Sequence, residues 1–426
     1  MNINELLKGM DCACGKHHHC DIDYVYIEKD AISRLSELCK SYNKILLVAD
    51  ENTFSAAGEK TVSALRGKTV EQVIFSGKEV LVPDETAIET VHRKLSGAEV
   101  IVGVGSGVIQ DLCKYVSFEN KIPYMIVATA PSMDGYASDG AAMILGGMKV
   151  TCKAGLPRAI IADTDILANA PMDMIKAGYG DIIGKFSALN DWKLSRCVNG
   201  EYFCEYIYDL TYEQLQKTLK LAHGLLQRNG QSIQTLMEAL VVVGILMSFA
   251  GSSRPASGSE HHLSHFFEIT GILDKTDYFS HGIDVAYSTV ITAALREKIL
   301  QKEFPRKVFR LSREEYAERM EKIYKQSAAG CMALQERVGN YTRQRLPVYL
   351  EKEEQIRQIL AQMPSAGEIR DMLRMADLPM EDFYALYGEE KIQNAILYSK
   401  DLKDRYSVLW LYYDLFAEDP INIYEV

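Results

Sequence analysis

Residues 99–108 read EVIVGVGSGV and pass from an apolar run into a glycine-rich loop. A short apolar run that ends in glycines predicts a buried strand followed by a tight turn. Residues 108–117, which come next, have the spacing of a helix. A strand, a glycine loop and a helix in this order predict a parallel α/β unit, in which ligands bind outside the carboxyl ends of the strands.

The same alternation extends on both sides of this segment. Strands are predicted at residues 44–50, 70–75 and 123–128, and helices at 58–65 and 83–95. Beyond Pro171 the strand-like runs vanish and helical patterns continue. We therefore predict a Rossmann-like α/β domain over residues 1–168 and an all-α domain over residues 169–426.

Composition excludes several classes of function. The chain has 426 residues, a formal net charge of -11 and a pI near 5.4, which disfavour nucleic acid or an anionic membrane as the main partner. The longest apolar stretch, residues 239–247, is shorter than the roughly 20 residues of a membrane span and predicts a buried helix. The first residues do not resemble a signal peptide, so we expect a cytoplasmic protein.

A cluster of soft ligands lies near the start of the chain. The nine cysteines are scattered, which favours reduced thiols, but residues 12–20 combine cysteines and histidines within a predicted arm of residues 1–25. The cluster consists of Cys12, Cys14, His17, His18, His19 and Cys20. Its spacing matches no closed zinc motif, so a structural metal site and a mobile arm both stay open.

A second group of histidines suggests a catalytic metal. A metal that polarises a carbonyl needs a few fixed ligands and an open position, and Asp181, His261 and His281 supply such a set. His265 follows His261 by four residues and shares its helical face, so it can also reach the metal, whereas His262 points elsewhere. We expect Asp181 near the start of a helix, where capping is its alternative role.

Three further features point to a nucleotide and a phosphate, each with a simpler alternative. The loop of residues 103–107 lacks the full dinucleotide fingerprint and is also compatible with a plain strand-to-helix turn. Asp50 ends a predicted strand, where its carboxylate can accept hydrogen bonds from the ribose hydroxyls and repel a 2'-phosphate. Its alternative role is to cap the next turn. Arg254 is a candidate for bidentate phosphate binding or a surface ion pair, with Lys149, Lys153 and Lys185 as weaker phosphate candidates.

Four motifs in order give the chain a family resemblance. They are GVGSGVIQD (103–111), TAPSMDGYAS (129–138), GDIIGK (180–185) and SRPASGSEH (253–261). Together they resemble the sn-glycerol-1-phosphate dehydrogenases, most closely their bacterial branch, over roughly residues 44–295. That family belongs to the superfamily of glycerol dehydrogenase, iron-containing alcohol dehydrogenases and dehydroquinate synthase, so the resemblance implies a dehydroquinate synthase-like fold.

The resemblance also implies a role for individual residues. Asp181, His261 and His281 match the metal ligands, and Asp181 and His265 match catalytic residues that touch substrate. Asp134 matches a further substrate contact. The dinucleotide contacts that it implies are Gly103, Gly105, Ser106, Gly107, Thr129, Ser132 and Ser138.

The predicted activity is the reversible reduction of dihydroxyacetone phosphate to sn-glycerol 1-phosphate. The expected cofactors are NAD(H) or NADP(H) and one divalent metal, zinc, nickel or iron, in a homo-oligomer without a membrane span. Alternatives are a glycerol or polyol dehydrogenase, a dehydroquinate synthase-like lyase, and a catalytically silent metal or nucleotide sensor.

Overall fold

The computed structural model describes residues 2–146 and 148–422, without the side chains of residues 148 and 149. The described chain forms two compact units. Residues 1–178 and 223–252 form the first unit, and residues 179–222 and 253–426 form the second. Residues 223–252 thus belong to the first unit, while the predicted division into domains at residues 168 and 169 stays a prediction.

A six-stranded parallel sheet organises the first unit, and two short antiparallel hairpins accompany it. The order in the large sheet is β3-β10-β7-β6-β4-β5. The strands are β1 Met10–Asp11, β2 His17–His18, β3 Tyr24–Glu28, β4 Lys44–Asp50, β5 Thr69–Phe75, β6 Val100–Gly105, β7 Tyr124–Ala128, β8 Gly140–Leu145, β9 Met148–Lys153 and β10 Ala159–Asp163.

The central strands are apolar along their whole length because both faces of the sheet are covered. In β4, Ile45, Leu47 and Ala49 enter one hydrophobic core, whereas Leu46 and Val48 enter the other. Side chains of a strand alternate between the two faces of the sheet, so every side chain of a strand buried on both faces contacts a hydrophobic core and is apolar. This packing explains why a continuous apolar run, rather than an alternating one, predicted these strands.

The strand order places a topological switch beside the glycine loop. The chain runs from β4 to β5 on one side and then returns to β6 on the other side of β4. Val48 pairs with Gly103 in the parallel register, which sets Asp50 level with Gly105 at the carboxyl edge. Such a switch point is where open α/β sheets bind ligands, because the connections diverge and leave a crevice.

Helices account for most of the remaining chain. The first twelve are α1 Ile3–Leu6, α2 Leu35–Leu38, α3 Glu51–Thr53, α4 Glu59–Ala64, α5 Glu85–Lys94, α6 Gly107–Asn120, α7 Thr164–Ala168, α8 Met172–Ile183, α9 Lys185–Asn199, α10 Glu205–Thr218, α11 Ala222–Leu226 and α12 Gly230–Ala250. The others are α13 Ser259–Asp274, α14 His281–Gln301, α15 Arg313–Tyr324, α16 Ala328–Val338, α17 Leu346–Glu351, α18 Glu353–Leu360, α19 Ala366–Met375, α20 Met380–Tyr398 and α21 Val408–Phe416.

Helix α12 contains the apolar stretch that the sequence singled out. Among the described residues it is the one helix long and apolar enough to cross a membrane by length and composition, and 78% of its apolar window is buried inside the protein. Residues 239–247 are all buried. The predicted buried helix is therefore confirmed.

The predicted fold class, an α/β part followed by an all-α part, is confirmed. The predicted helix at residues 83–95 is present as α5, and Asp84 caps it, since the Ala87 amide donates to Asp84 Oδ1 at 2.9 Å. Strands β3 and β10 and the β1–β2 and β8–β9 hairpins are not among the strands predicted from the sequence. Strand β3 (YVYIE) lies at the edge of the sheet, where exposed or half-buried residues alternate with buried Val25 and Ile27, unlike the central strands β6 and β7, which are buried along their whole length.

Candidate active site

Three helix segments of the second unit carry the residues of the predicted metal set. Asp181 lies in the last turn of α8, His261 in the first turn of α13, and His281 is the first residue of α14. The expectation that Asp181 starts a helix is wrong, so capping a helix N-terminus is not its role. The three residues are neighbours in space although they span 100 positions of sequence, from 181 to 281.

Glycines beside two of these residues let their helices approach closely. A Cβ atom on Gly180 would lie 2.4 Å from the carbonyl oxygen of Gly282, a distance that real Cβ atoms do not adopt. Helices α8 and α14 therefore meet backbone to backbone next to Asp181 and His281. This close approach is the physical reason for the glycine that precedes Asp181.

The donor atoms of Asp181, His261 and His281 form a compact group. Their ligand atoms all lie within 4.8 Å of one another, and His261 Nε2 is 3.6 Å from Asp181 Oδ1. The rings of His261 and His281 are 5.0 Å apart between centroids. Asp181 and His261 are buried and His281 is half-buried.

Glu260 orients the ring of His261. Its Oε1 atom lies 2.7 Å from His261 Nδ1 and accepts a hydrogen bond from the Gly258 amide at 2.8 Å. Donation from Nδ1–H to this carboxylate leaves the Nε2 lone pair directed at Asp181. Metal-binding histidines are commonly held by such a carboxylate, which fixes the tautomer and makes the ligand more basic.

The start of α13 is anchored by Asp191 of α9. Asp191 Oδ2 accepts from the Ser259 amide at 2.6 Å, and its Oδ1 accepts from Arg296 Nη2 at 2.8 Å. A buried carboxylate at a helix N-terminus satisfies backbone donors that have no partner within the helix. This contact fixes the position of the turn that carries His261.

Asp181 is ionised and paired with Lys185. Burial alone would raise the pKa of Asp181, but the Lys185 ammonium, together with His261 and His281, holds it at about 2. Lys185 Nζ lies 2.8 Å from Asp181 Oδ1 and 3.0 Å from the Ala256 carbonyl, and both charged side chains are fully buried. Because both charges are buried, each stabilises the other, and removal of either side chain would leave an uncompensated charge inside the protein.

This donor set fits a divalent transition metal. One ionised carboxylate and two imidazoles are a recurrent ligand set of catalytic zinc, and burial lowers the pKa of His261, which keeps its ring neutral. His265, Glu268 and His281 form a second group with ligand atoms within 4.8 Å, so His265 stands beside the first set. His262 is completely buried and belongs to neither group.

The glycine loop of the first unit has the geometry of a phosphate-binding turn. A Cβ atom on Gly105 would lie 2.5 Å from Ile109 Cβ, so only glycine allows α6 to pack against β6 here. Gly107 begins α6, and the nearest atom to a Cβ there would be Met133 Cε at 4.0 Å. The helix N-terminus is therefore open, and its amides and dipole favour an anion.

Ser106, Thr129 and Ser132 surround this helix start. Ser106 Oγ lies 2.6 Å from Ser132 Oγ, and the Thr129 amide donates to the Gly105 carbonyl at 3.1 Å. All three side chains are buried. The structure thus brings these predicted nucleotide-binding residues to the carboxyl edge of β6 and β7.

Two other predicted residues lie on the following turn. Asp134 starts a 3-10 turn, Asp134–Ala137, that packs against α12, and Ser138 follows it. Ser138 Oγ lies 3.3 Å from Lys114 Nζ, which is also 3.4 Å from Asp111 Oδ1. Lys114 is fully buried, and burial lowers its pKa. Its hydrogen bonds to this turn hold the turn in place.

Asp50 caps the short helix that follows β4. Its Oδ1 atom accepts from the Thr53 amide at 2.8 Å, and Thr53 Oγ1 accepts from the Asp50 amide at 3.1 Å. The alternative of a capping role is therefore confirmed. The carboxylate still lies at the topological switch, so a contact with ribose stays a prediction.

Arg254 is an ion-pair partner, but the pair is not a surface one. Its guanidinium donates to Glu201, to the Tyr406 carbonyl at 2.8 Å and to Ser195 Oγ at 3.2 Å, and its side chain is 5% exposed. With Arg343, Arg405 and the acid Asp404 it borders a cavity of about 300 Å³. A phosphate-binding role for Arg254 stays a prediction. Of the lysine candidates, Lys153 is exposed, Lys185 pairs with Asp181, and the side chain of Lys149 lies outside the described residues.

We expect Arg254→Met to lower the free energy of unfolding by about 2 kcal/mol, because the Glu201 carboxylate and the Tyr406 carbonyl lose their partner. Urea denaturation measures this effect. Arg343→Met is the matched control, since Arg343 is an exposed arginine on the same cavity. Unchanged stability with a tenfold higher KM for a phosphorylated substrate would instead assign Arg254 to phosphate binding.

Comparisons with known proteins identify the family of this chain. Residues 26–171 match the family described as iron-containing alcohol dehydrogenase. A glycerol-1-phosphate dehydrogenase [NAD(P)+] of Geobacillus thermodenitrificans is 35% identical over 287 residues, which cover 65% of this chain and 71% of the relative. The chain belongs to the glycerol-1-phosphate dehydrogenase family. The predicted resemblance is thereby confirmed.

Other members of this family extend the match. A glycerol-1-phosphate dehydrogenase [NAD(P)+] of Bacillus licheniformis is 28% identical over 406 residues, covering 93% of this chain and 90% of the relative. Among solved structures, an iron-containing alcohol dehydrogenase from Thermococcus thioreducens aligns with a TM-score of 0.61 at 13% identity, covering 95% of this chain and 100% of the other. At that identity the structural match shows the fold alone.

Two residues of the site, Glu260 and Lys185, have roles in this family member that the sequence pattern did not predict. Glu260 directly precedes His261, and adjacent residues on a helix point in different directions, so the sequence held no signal for their contact. Lys185 was considered only for phosphate. Its spacing of four from Asp181 is typical of a helical ion pair, although the two residues lie on successive helices, α8 and α9.

Proposed function

We propose that this chain catalyses the reversible NAD(P)H-linked reduction of dihydroxyacetone phosphate to sn-glycerol 1-phosphate. Its membership in the glycerol-1-phosphate dehydrogenase family carries the proposal, through the 35% identity to a relative of that name. The compact set of Asp181, His261 and His281 supports it independently, since the reduction of a carbonyl needs a centre that stabilises developing negative charge.

Asp181, His261 and His281 are the proposed ligands of a divalent metal. A bound metal would act as a Lewis acid on the substrate carbonyl. Asp181 supplies the negative charge of the set, and Glu260 holds His261 in the tautomer that presents Nε2. Zinc, nickel and iron all suit one carboxylate and two imidazoles, so the identity of the metal stays open.

The nicotinamide cofactor supplies the hydride, and the N-terminus of α6 is the proposed site for its pyrophosphate. Gly107 leaves space in front of the helix amides there. The resemblance adds Gly103, Gly105, Ser106, Thr129, Ser132 and Ser138 as contacts. Asp50 at the switch point would favour NAD over NADP, because its charge repels a 2'-phosphate. Comparable catalytic efficiency with NADPH would contradict that preference.

His265 and Asp134 are the proposed substrate-binding residues. His265 is half-buried, its ring centroid is 5.3 Å from that of His281, and its Nδ1 lies 3.8 Å from Glu268 Oε2. An imidazole in this position can hold the proton that the product hydroxyl receives, with Asp181 as the second residue that touches substrate. The homo-oligomer and the cytoplasmic location stay predictions.

The alternative activities are less well supported. The relatives reported above carry the name of the phosphorylated-substrate enzyme, so a glycerol or polyol dehydrogenase and a dehydroquinate synthase-like lyase are not favoured. A silent sensor is disfavoured by family membership in a group of dehydrogenases. The substrate test below separates all of these.

The test follows NADH absorbance with dihydroxyacetone phosphate after chelation and after adding back zinc, nickel or iron. We expect NADH oxidation that is lost on chelation and restored by a metal, with a product that is sn-glycerol 1-phosphate. A dehydrogenase specific for the opposite enantiomer serves as the stereochemical control. Activity with glycerol and none with dihydroxyacetone phosphate would overturn the proposal, as would metal-independent turnover.

A further inference from the structure

The cluster at the start of the chain is folded into a short hairpin of the first unit. Strand β1 pairs with β2 in antiparallel register, Asp11 opposite His17. The Cys12 amide donates to the Lys16 carbonyl at 3.0 Å, and the Gly15 amide donates to the Cys12 carbonyl at 2.9 Å. Gly15 has a φ of +86°, so the tight turn requires a glycine at this position.

This turn brings two thiols and one imidazole together. Cys14 Sγ lies 3.4 Å from His18 Nε2, and the ligand atoms of Cys12, Cys14 and His18 lie within 4.8 Å of one another. A tetrahedral zinc ion with Zn–S of about 2.3 Å and Zn–N of about 2.0 Å separates its sulfur and nitrogen ligands by about 3.5 Å. The observed separation of Cys14 and His18 is close to that value.

The ring of His18 is fixed in the orientation that a ligand needs. Its side chain is completely buried, Nδ1 lies 3.0 Å from the Phe249 carbonyl oxygen, and the ring stacks on Phe249 at 5.3 Å with an interplanar angle of 8°. Donation from Nδ1–H to that carbonyl leaves the Nε2 lone pair facing the thiols. A backbone carbonyl on the second ring nitrogen is a usual partner of a metal-bound histidine.

The neighbouring residues point away from this group. The side chains of His17 and His19 are exposed, and each lies beside an acid: His17 Nδ1 is 2.8 Å from Asp11, and His19 Nε2 is 3.9 Å from Asp21. Alternation along a strand explains this division, since His18 faces inward while the residues before and after it face outward. The hairpin thus selects one histidine out of three.

We propose that Cys12, Cys14 and His18 bind a structural zinc ion. Two thiolates and an imidazole are soft ligands that select zinc over magnesium or calcium, and the fourth position is completed by water or by another ligand. The ion would fasten the hairpin to the C-terminal end of α12, where Phe249 lies. This site differs in chemistry from the Asp181 set, which has no sulfur ligand.

Cobalt substitution tests this proposal independently of turnover. The full-length reduced protein is loaded with Co²⁺, and we expect about two bound ions per chain together with thiolate-to-cobalt charge transfer in the near ultraviolet. In the double variant Cys12→Ser/Cys14→Ser we expect about one ion per chain and no charge-transfer band. His19→Asn is the matched control, a change in the same hairpin that should keep both the second ion and the band.

A variant of the other metal set keeps the test decisive if the cysteine variant does not fold. His281→Ala protein should lose the sulfur-free site and retain one cobalt ion with the charge-transfer band. The proposal is overturned if the reduced protein with its natural cysteines shows no thiolate band, or if the band persists in the folded cysteine variant. Because the readout is metal content and absorption, failure of the proposed dehydrogenase activity would not affect it.

Discussion

His281→Ala is expected to lower kcat/KM for dihydroxyacetone phosphate by about 1,000-fold or more. Removing one of three ligands releases the metal, and a Lewis acid at a carbonyl contributes several kcal/mol to the transition state, where about 4 kcal/mol corresponds to a factor of about 1,000. Bound metal should fall in parallel. Steady-state kinetics and metal analysis on the same sample measure both quantities.

Histidine 281 suits this experiment better than Asp181. Replacing Asp181 would leave the fully buried Lys185 ammonium without its carboxylate, so lost activity would be confounded by lost stability. His281 is half-buried at the first position of α14, and its truncation leaves the buried Asp181–Lys185 ion pair intact. His223→Ala, on an exposed histidine, is the control and should keep full metal content and activity. Normal turnover with full metal content in His281→Ala would remove His281 from the ligand set.

Gly107→Ala is expected to weaken NADH binding about 10- to 100-fold while the protein stays folded. Apart from its chain neighbours and its own helix backbone, the nearest described atom to a methyl group there is Met133 Cε at 4.0 Å, so the free energy of unfolding should change by less than about 1 kcal/mol. The methyl group would instead occupy space in front of the helix amides that are proposed to bind pyrophosphate. Losing hydrogen bonds to a charged group costs about 1.5–3 kcal/mol, which gives the expected factor.

Gly230→Ala is the matched control for this substitution. Gly230 is also the first residue of a helix, α12, and among the described residues no atom outside its chain neighbours and helix backbone lies within 4 Å of a Cβ placed on it. It should leave NADH affinity unchanged, as measured by fluorescence titration. Unaltered NADH affinity in Gly107→Ala would show that the cofactor does not use this helix start. Gly105→Ala is unsuited to the test, because its Cβ would lie 2.5 Å from Ile109 Cβ and disturb the packing of α6.

The sequence predicted those parts of the fold that depend on local patterns. Continuous apolar runs identified β4, β6 and β7 because these strands are buried on both faces. The loss of strand patterns after Pro171 correctly marked the change to helices. The hairpin at residues 10–18 escaped detection because its two-residue strands contain no apolar run, whereas the short edge strand β3 was missed although its residues YVYI favour a strand.

For the candidate site, the sequence showed which residues could bind a metal, and the fold determined which of them lie close together. Histidines at 261, 265 and 281 and a carboxylate at 181 were sufficient to suggest a metal. Their grouping depends on α8 and α14 meeting at Gly180 and Gly282, which no local pattern encodes. The ion pair of Arg254 with Glu201 likewise joins residues 53 positions apart, and no local pattern indicates it.

The sequence by itself determined the class of fold, the family and the residue types available for chemistry, because side-chain periodicity and short motifs are properties of neighbouring residues. Tertiary structure alone decided which of these residues meet. It buried His18 out of three consecutive histidines, placed the Glu260 carboxylate against the His261 ring, and paired Lys185 with Asp181. Such pairings depend on burial and on contacts between distant segments, and both arise only when the chain is packed.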